Sequence, residues 1–270
     1  MYSAPSAVTV SRQHFRERLM TDLNHNIFWQ VHRDLPREAP GSDDSTLRAL
    51  SMLPALPASA RILDIGCGPG AQTVALARAT SGHIIAVDTH QPFLDELVHR
   101  ADQAGVADRI HPLQASMFDL DFDHPFDLIW SEGAIYIIGF ERGLREWRRL
   151  LKPGGLIAVT EISWLKPNLP EAARAFWDEA YPGMASVEAN LTRLAAAGYR
   201  SLGHFTLPER DWWDNYYHPM AARIELLRQA YRENPEAQAA LDSECAEIEV
   251  YRQYSDWYGY VFYLGQVVGT

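Results

Sequence analysis

The segment Arg61-Ile-Leu-Asp-Ile-Gly-Cys-Gly-Pro-Gly70 holds the densest chemistry in the chain. Its apolar start reads as a strand, and Gly66, Gly68 and Gly70 remove side chains where a backbone must turn sharply and approach a ligand closely. Alone, the loop also satisfies the looser G-x-G-x-x-A dinucleotide spacing through Gly66, Gly68 and Ala71. Asp64 favours a different ligand, because a carboxylate inside the motif repels pyrophosphate and attracts an ammonium. Asp88 closes the next apolar run, in Ala86-Val-Asp-Thr, where a carboxylate can accept hydrogen bonds from both hydroxyls of a ribose. The competing reading of Asp88 is a helix N-cap, worth about 1 kcal/mol.

Positioning these groups requires a sheet. Apolar runs at 62–65, 84–87, 110–113, 126–130 and 156–162 alternate with helical patterns at about 71–80, 91–105 and 140–151, the pattern of βαβ units and a mainly parallel sheet. Pro153, Gly154 and Gly155 break the third helix. The stretch 170–197 reads as helical and is stopped by Gly198, with a sixth strand near 201–207. Residues 219–256 read as helical again, and the aromatic run 258–268 reads as a last strand. The expected fold is α/β: a Rossmann-like, seven-stranded, mostly parallel sheet with helices on both faces, N-terminal helices and a helical insertion at about 208–256. Residues 1–60 form the N-terminal helical lid segment in this reading, and 61–270 the main domain.

With 270 residues, 47% of them apolar, the chain can bury a full core. A formal charge of -11 argues against a nucleic-acid partner, which needs several phosphates neutralised by Lys and Arg. The first residues lack a basic start followed by an apolar run, and nowhere do apolar residues run long enough to span a bilayer, so the expectation is a cytoplasmic protein without a membrane partner. Two distant cysteines, Cys67 and Cys245, form no disulfide framework, and the ten histidines lack metal-ligand spacing, so no metal is expected.

The run Leu63-Asp-Ile-Gly-Cys-Gly-Pro-Gly70, Asp88, Phe126-Asp-Leu-Ile-Trp-Ser-Glu132 and the turn Leu151-Lys-Pro-Gly-Gly155 together resemble a class I S-adenosylmethionine-dependent methyltransferase, strongly over about 40–165. The stretch from Ser131 to Trp147 further resembles a bacterial subgroup acting on small molecules. The resemblance implies a cofactor site built from Asp64, Gly66, Cys67, Gly68, Asp88, Thr89, Ser116, Met117, Ser131 and Glu132. Asp64 would lie near the methionine ammonium and Asp88 on the ribose. Ser116-Met117 stands where many relatives carry Asp-Ala at the adenine, which replaces a carboxylate contact by a hydroxyl and a thioether. The turn Pro40-Gly41-Ser42 would close over the cofactor.

Methyl transfer is displacement at a carbon already activated by positive sulfur, so the protein chiefly orients and excludes water. Glu132, Glu161 and His90, near strand ends, are the candidates for a base if the acceptor needs one. The alternative roles are that Glu132 only bonds the methionine moiety and Glu161 only positions the acceptor. Tyr136, Trp164 and Trp213 are the candidate walls of the acceptor pocket. Three classes follow: a methyltransferase on a small-molecule acceptor, releasing S-adenosylhomocysteine as a monomer or homodimer; a non-catalytic S-adenosylmethionine-binding protein; and a nicotinamide-dependent oxidoreductase.

Overall fold

The computed structural model describes residues 22–269. Residues 1–21 of the expected lid segment lie outside the described residues. The strands are β1 (Arg61–Ile65), β2 (His83–Asp88), β3 (Ile110–Gln114), β4 (Phe126–Ser131), β5 (Leu151–Trp164), β6 (Ala185–Ser186), β7 (Tyr199–Thr206) and β8 (Tyr258–Val267). They make one eight-stranded sheet in the order β3-β2-β1-β4-β5-β8-β7, with the short β6 paired to β5. β1 to β5 run parallel, while β8 is antiparallel to both β5 and β7. The expected mostly parallel sheet is therefore present, with the two-residue β6 as an addition.

Helices Ala71–Ala79 and Gln91–Ala104 connect the first three strands. The second is fixed at both ends by sequence: Pro92 pre-sets its first turn and Gly105 stops it in the left-handed conformation. Helix Phe140–Trp147 buries Phe140, Gly143, Leu144 and Trp147, one face at helical spacing. It ends earlier than the sequence pattern suggests. A 3-10 turn at Arg148–Leu150 follows, and β5 begins at Leu151, where pairing with Phe126 captures the backbone before the Pro-Gly-Gly turn. A register shift between Phe126 and Leu128 absorbs that turn.

The expected helical stretch 170–197 is two helices, Glu171–Ala180 and Val187–Ala196. Pro182 and Gly183 lie in the turn between them, where a helix cannot continue. After β7 the chain forms a short helix Glu209–Trp212, a π-helical turn Trp213–Tyr217 and helix His218–Ala230. Helix Pro235–Tyr254 then leads into β8.

Among described residues the chain forms two compact units, one of 22–34 with 220–249 and one of 35–219 with 250–269. The first is helical; within it Arg223 donates to the Gln30 carbonyl at 2.8 Å and Gln30 bonds the Tyr231 hydroxyl at 3.0 Å. The second contains the sheet. Its main core includes Leu63, Ile65, Ile129, Ile157, Val159, Phe140, Trp147, Val261 and Tyr263.

Candidate functional site

β1 leaves the sheet at Ile65, and the amides of Gly66 and Cys67 both donate to the Val87 carbonyl, at 2.8 and 3.0 Å. The loop is thus hung from the end of β2. Gly66, Gly68 and Gly70 have φ of +72°, +52° and +84°, the left-handed region that glycine enters without penalty. Asp88 braces the loop from below: Oδ2 accepts from the Gly68 amide and Oδ1 from the His90 amide, both at 2.9 Å. Each oxygen retains acceptor capacity, so one carboxylate can shape the loop and also receive hydroxyl donors. Helix Ala71–Ala79 starts from Gly70 without a side-chain cap, leaving its first amides to an anion such as a carboxylate.

Asp64 is buried beneath this loop. Its Oδ2 accepts from Thr73 Oγ1 at 2.6 Å, while Oδ1 has no partner. Burial pushes its carboxyl up to about 7, against the pull of the Thr73 bond. An acceptor of this kind under the loop, an uncapped helix end and Asp88 at the β2 terminus together fit a zwitterionic nucleoside ligand. Cys67 is buried, and burial pushes its thiol up, so it packs rather than reacts.

Around the loop stand Ser131, whose Oγ donates to the Ile65 carbonyl at 2.8 Å, and Met117, whose Cε faces Gly66. The Ser116 Oγ accepts from the Phe118 amide at 3.3 Å, and the Thr89 carbonyl accepts from Gln114 at 3.1 Å. His90 lies edge-on to Phe93, with ring centroids 4.7 Å apart.

Glu132, just past β4, is enclosed by donors. Thr46 Oγ1 and Trp130 Nε1 reach Oε1 at 2.7 and 2.8 Å, and Arg37 Nη1 reaches Oε2 at 3.1 Å. Burial pushes its carboxyl up, opposed by the Arg37 charge and the two hydrogen bonds. This arrangement suits holding a segment in place better than abstracting a proton. Arg37 and Thr46 come from the chain before β1, and the same segment crosses the loop: a Cβ on Gly133 would meet Ala39 Cβ at 2.1 Å, and one on Gly68 would meet Glu38 Cγ at 3.5 Å. Ser42 caps helix Asp43–Ser51 through the Ser45 amide. Gly41 is clamped from the far side, its amide donating to the Asp211 carbonyl and its carbonyl accepting from Asn215.

Glu161 is fully buried on β5, with no hydrogen-bond partner at either oxygen. Burial pushes its carboxyl up to about 8, opposed first by the Tyr181 hydroxyl and then by the Arg193 charge. Tyr136 is exposed at the loop after β4 and meets Tyr181 edge-on at 5.9 Å. Trp164 and Trp213 belong to an aromatic cluster: Trp164 packs on Tyr258, and Trp213 on Tyr217 and Tyr251 beneath Arg252. Arg37, Thr46 and Thr73 escaped the sequence reading, since no spacing links them to the carboxylates they serve.

A family model described as a methyltransferase domain matches residues 62–155. The demethylmenaquinone methyltransferase of Clavibacter sepedonicus is 32% identical over 207 residues, covering 76% of this chain and 74% of that protein. A sterol 24-C-methyltransferase of Gibberella zeae is 26% identical over 162 residues, 56% of this chain and 42% of the relative. The chain spans less than half the length of such sterol methyltransferases. A crystal structure described as a SAM-dependent methyltransferase from Geobacter sulfurreducens in complex with S-adenosyl-L-homocysteine superposes with a TM-score of 0.77 at 21% identity, covering 89% of this chain and 97% of that one.

Proposed function

This chain belongs to the class I S-adenosylmethionine-dependent methyltransferases, and from that premise we propose that it transfers a methyl group from S-adenosylmethionine to a small-molecule acceptor. The observation that carries the reading is Asp88, which braces the glycine loop through Gly68 and His90 while keeping lone pairs for a ribose. In this reading the uncapped start of helix Ala71–Ala79 meets the methionine carboxylate, and Gly66 and Gly68 approach through their backbones. Met117 and Ser116 line the adenine side, Thr89 and His90 the adenosine, and Ser131 the methionine end. The cofactor supplies an electrophilic methyl on positive sulfur; the protein orients the acceptor and excludes water.

Residues 35–52 serve as the lid in this proposal, with the Glu132 cage as its latch, and Tyr136 borders the acceptor side. The named substrates of the relatives, a demethylmenaquinone and a sterol, support a small, largely apolar acceptor. No described helix is long and apolar enough to cross a membrane, and the unpaired Cys67 and Cys245 support a cytoplasmic setting.

Calorimetry with S-adenosylmethionine, S-adenosylhomocysteine and NAD tests the reading: the adenosyl compounds bind and NAD does not. Asp88→Ala, with its fold checked by circular dichroism, weakens cofactor binding by about 2–4 kcal/mol. NAD binding without adenosyl binding overturns the assignment. Cofactor binding with no S-adenosylhomocysteine release in any metabolite extract identifies a non-catalytic binder instead.

A further inference from the structure

The donor loop meets β5 one residue before Glu161: the Gly66 backbone lies against Ala134, and the amide of the adjoining Gly133 donates to Thr160 Oγ1 at 2.7 Å, on the face of β5 opposite the Glu161 side chain. The last rung between β4 and β5 pairs Ser131 with Val159, so Glu161 lies beyond the end of β4, at the carboxyl edge where ligands bind in parallel sheets. Strand alternation sets its side chain on the face of the core residues Ile157 and Val159, beside Val261, its partner on β8.

Polar groups do occur nearby, yet they are engaged with one another. Ser163 Oγ bonds the Tyr263 hydroxyl at 2.8 Å, Asn190 Nδ2 donates to Ser163 Oγ at 3.1 Å, and Arg193 Nη1 donates to Asn190 Oδ1 and the Gly183 carbonyl, both at 3.1 Å. A fully buried carboxyl without a partner is costly, and proteins keep one where something else completes it. Tyr181 is the hydroxyl facing it, and the Tyr181 ring leads to the exposed ring of Tyr136.

We propose that Glu161 is the polar anchor of an acceptor subsite, and that it selects a neutral oxygen group, a hydroxyl or a carbonyl, on an otherwise apolar molecule. The proposal rests on the methyltransferase reading above. With its carboxyl pushed up to about 8, Glu161 is protonated at neutral pH and offers one donor and one acceptor side by side. The groups facing it, Tyr181, Tyr263 and the distant Arg193, supply no ion pair that would favour its charged form strongly enough to prevent this.

The test uses the full chain saturated with S-adenosylhomocysteine and ligand-observed magnetic resonance with benzyl alcohol, toluene and benzylamine as probes. Wild-type protein prefers benzyl alcohol over toluene by about tenfold. Glu161→Gln keeps that preference, and Glu161→Leu abolishes it while S-adenosylhomocysteine still binds. Should Glu161→Leu fail to fold, pH replaces it, with acetophenone as a probe that can only accept: at about pH 9.5 the wild-type preference for acetophenone over toluene falls as the acid ionises and loses its donor, while that of Glu161→Gln does not. No preference in wild type, or an unchanged one in Glu161→Leu, overturns the proposal, as does a pH-independent preference where that arm is used. Benzylamine binding tighter than the alcohol replaces a neutral group by a cation and overturns it as well. Failure of S-adenosylhomocysteine to bind wild type overturns the methyltransferase reading too, and so marks the two failures apart.

Discussion

Arg37 Nη1 lies 3.1 Å from Glu132 Oε2, joining the segment before the first strand to the end of β4. The same guanidinium donates to Asp43 at 2.8 Å, so its charge is shared between one buried and one exposed carboxylate. Arg37 therefore keeps the Glu132 charge compensated in an interior that would otherwise reject it.

Removing the guanidinium leaves that charge stranded. Arg37→Ala costs about 3–5 kcal/mol in urea unfolding, and adding Glu132→Gln restores part of the loss. A cost below about 1 kcal/mol for the single change, the range of a surface pair, rules out the latch.

Gly66 faces a different constraint, because a Cβ there would stand 2.4 Å from Ala134 Cβ at a φ of +72°. Gly66→Ala destabilises by roughly 2–4 kcal/mol from overpacking and backbone strain combined. Pairing it with Ala134→Gly relieves the clash and leaves about 1–2 kcal/mol of strain. If thermal melts show the pair no more stable than the single variant, the close approach at this point is misassigned.

The elements that were legible from sequence share a physical cause. β1, β2 and β4 are largely apolar runs closed by Gly66, Asp88 and Ser131, and that local signal survives folding. The placement of β8 between β5 and β7 left no such trace, since its aromatic run would be as apolar beside any neighbours. Glu132 stood out by its place after β4, but its cage did not: Arg37 and Thr46 are 95 and 86 residues away, and no periodicity spans such distances. Trp213 was singled out by an aromatic-rich stretch. Aromatic side chains serve cores and pockets alike, and its described contacts run to Glu209, Tyr217, His218, Tyr251 and Arg252.

Burial raises three acids, Glu132, Glu161 and Asp64, and the last two are shifted far enough to shape the pH response. Glu161 and Asp64 sit at about 8 and about 7, above their ordinary values of 4.5 and 3.8. Both are raised, so their stabilising contribution is full below the ordinary values and is lost as pH rises through the raised ones. Glu161→Gln should leave stability little changed at about pH 4 and raise it by a few kcal/mol at about pH 8.5. Melting curves for both proteins across that range decide it; parallel curves would remove Glu161 as a source of the response.

The clamp on Gly41 has a temporal side. Its amide is held by Asp211 and its carbonyl by Asn215, 174 positions further along the chain. β1 to β4 are complete at Ser131, so an emerging chain owns the glycine loop and its Asp88 brace long before the clamp can form. Closing so long a loop costs entropy that only the later contacts repay. Synthesis therefore supplies the partners of the Glu132 cage first, and the second hold on the same segment, at Gly41, only after residue 215 has emerged.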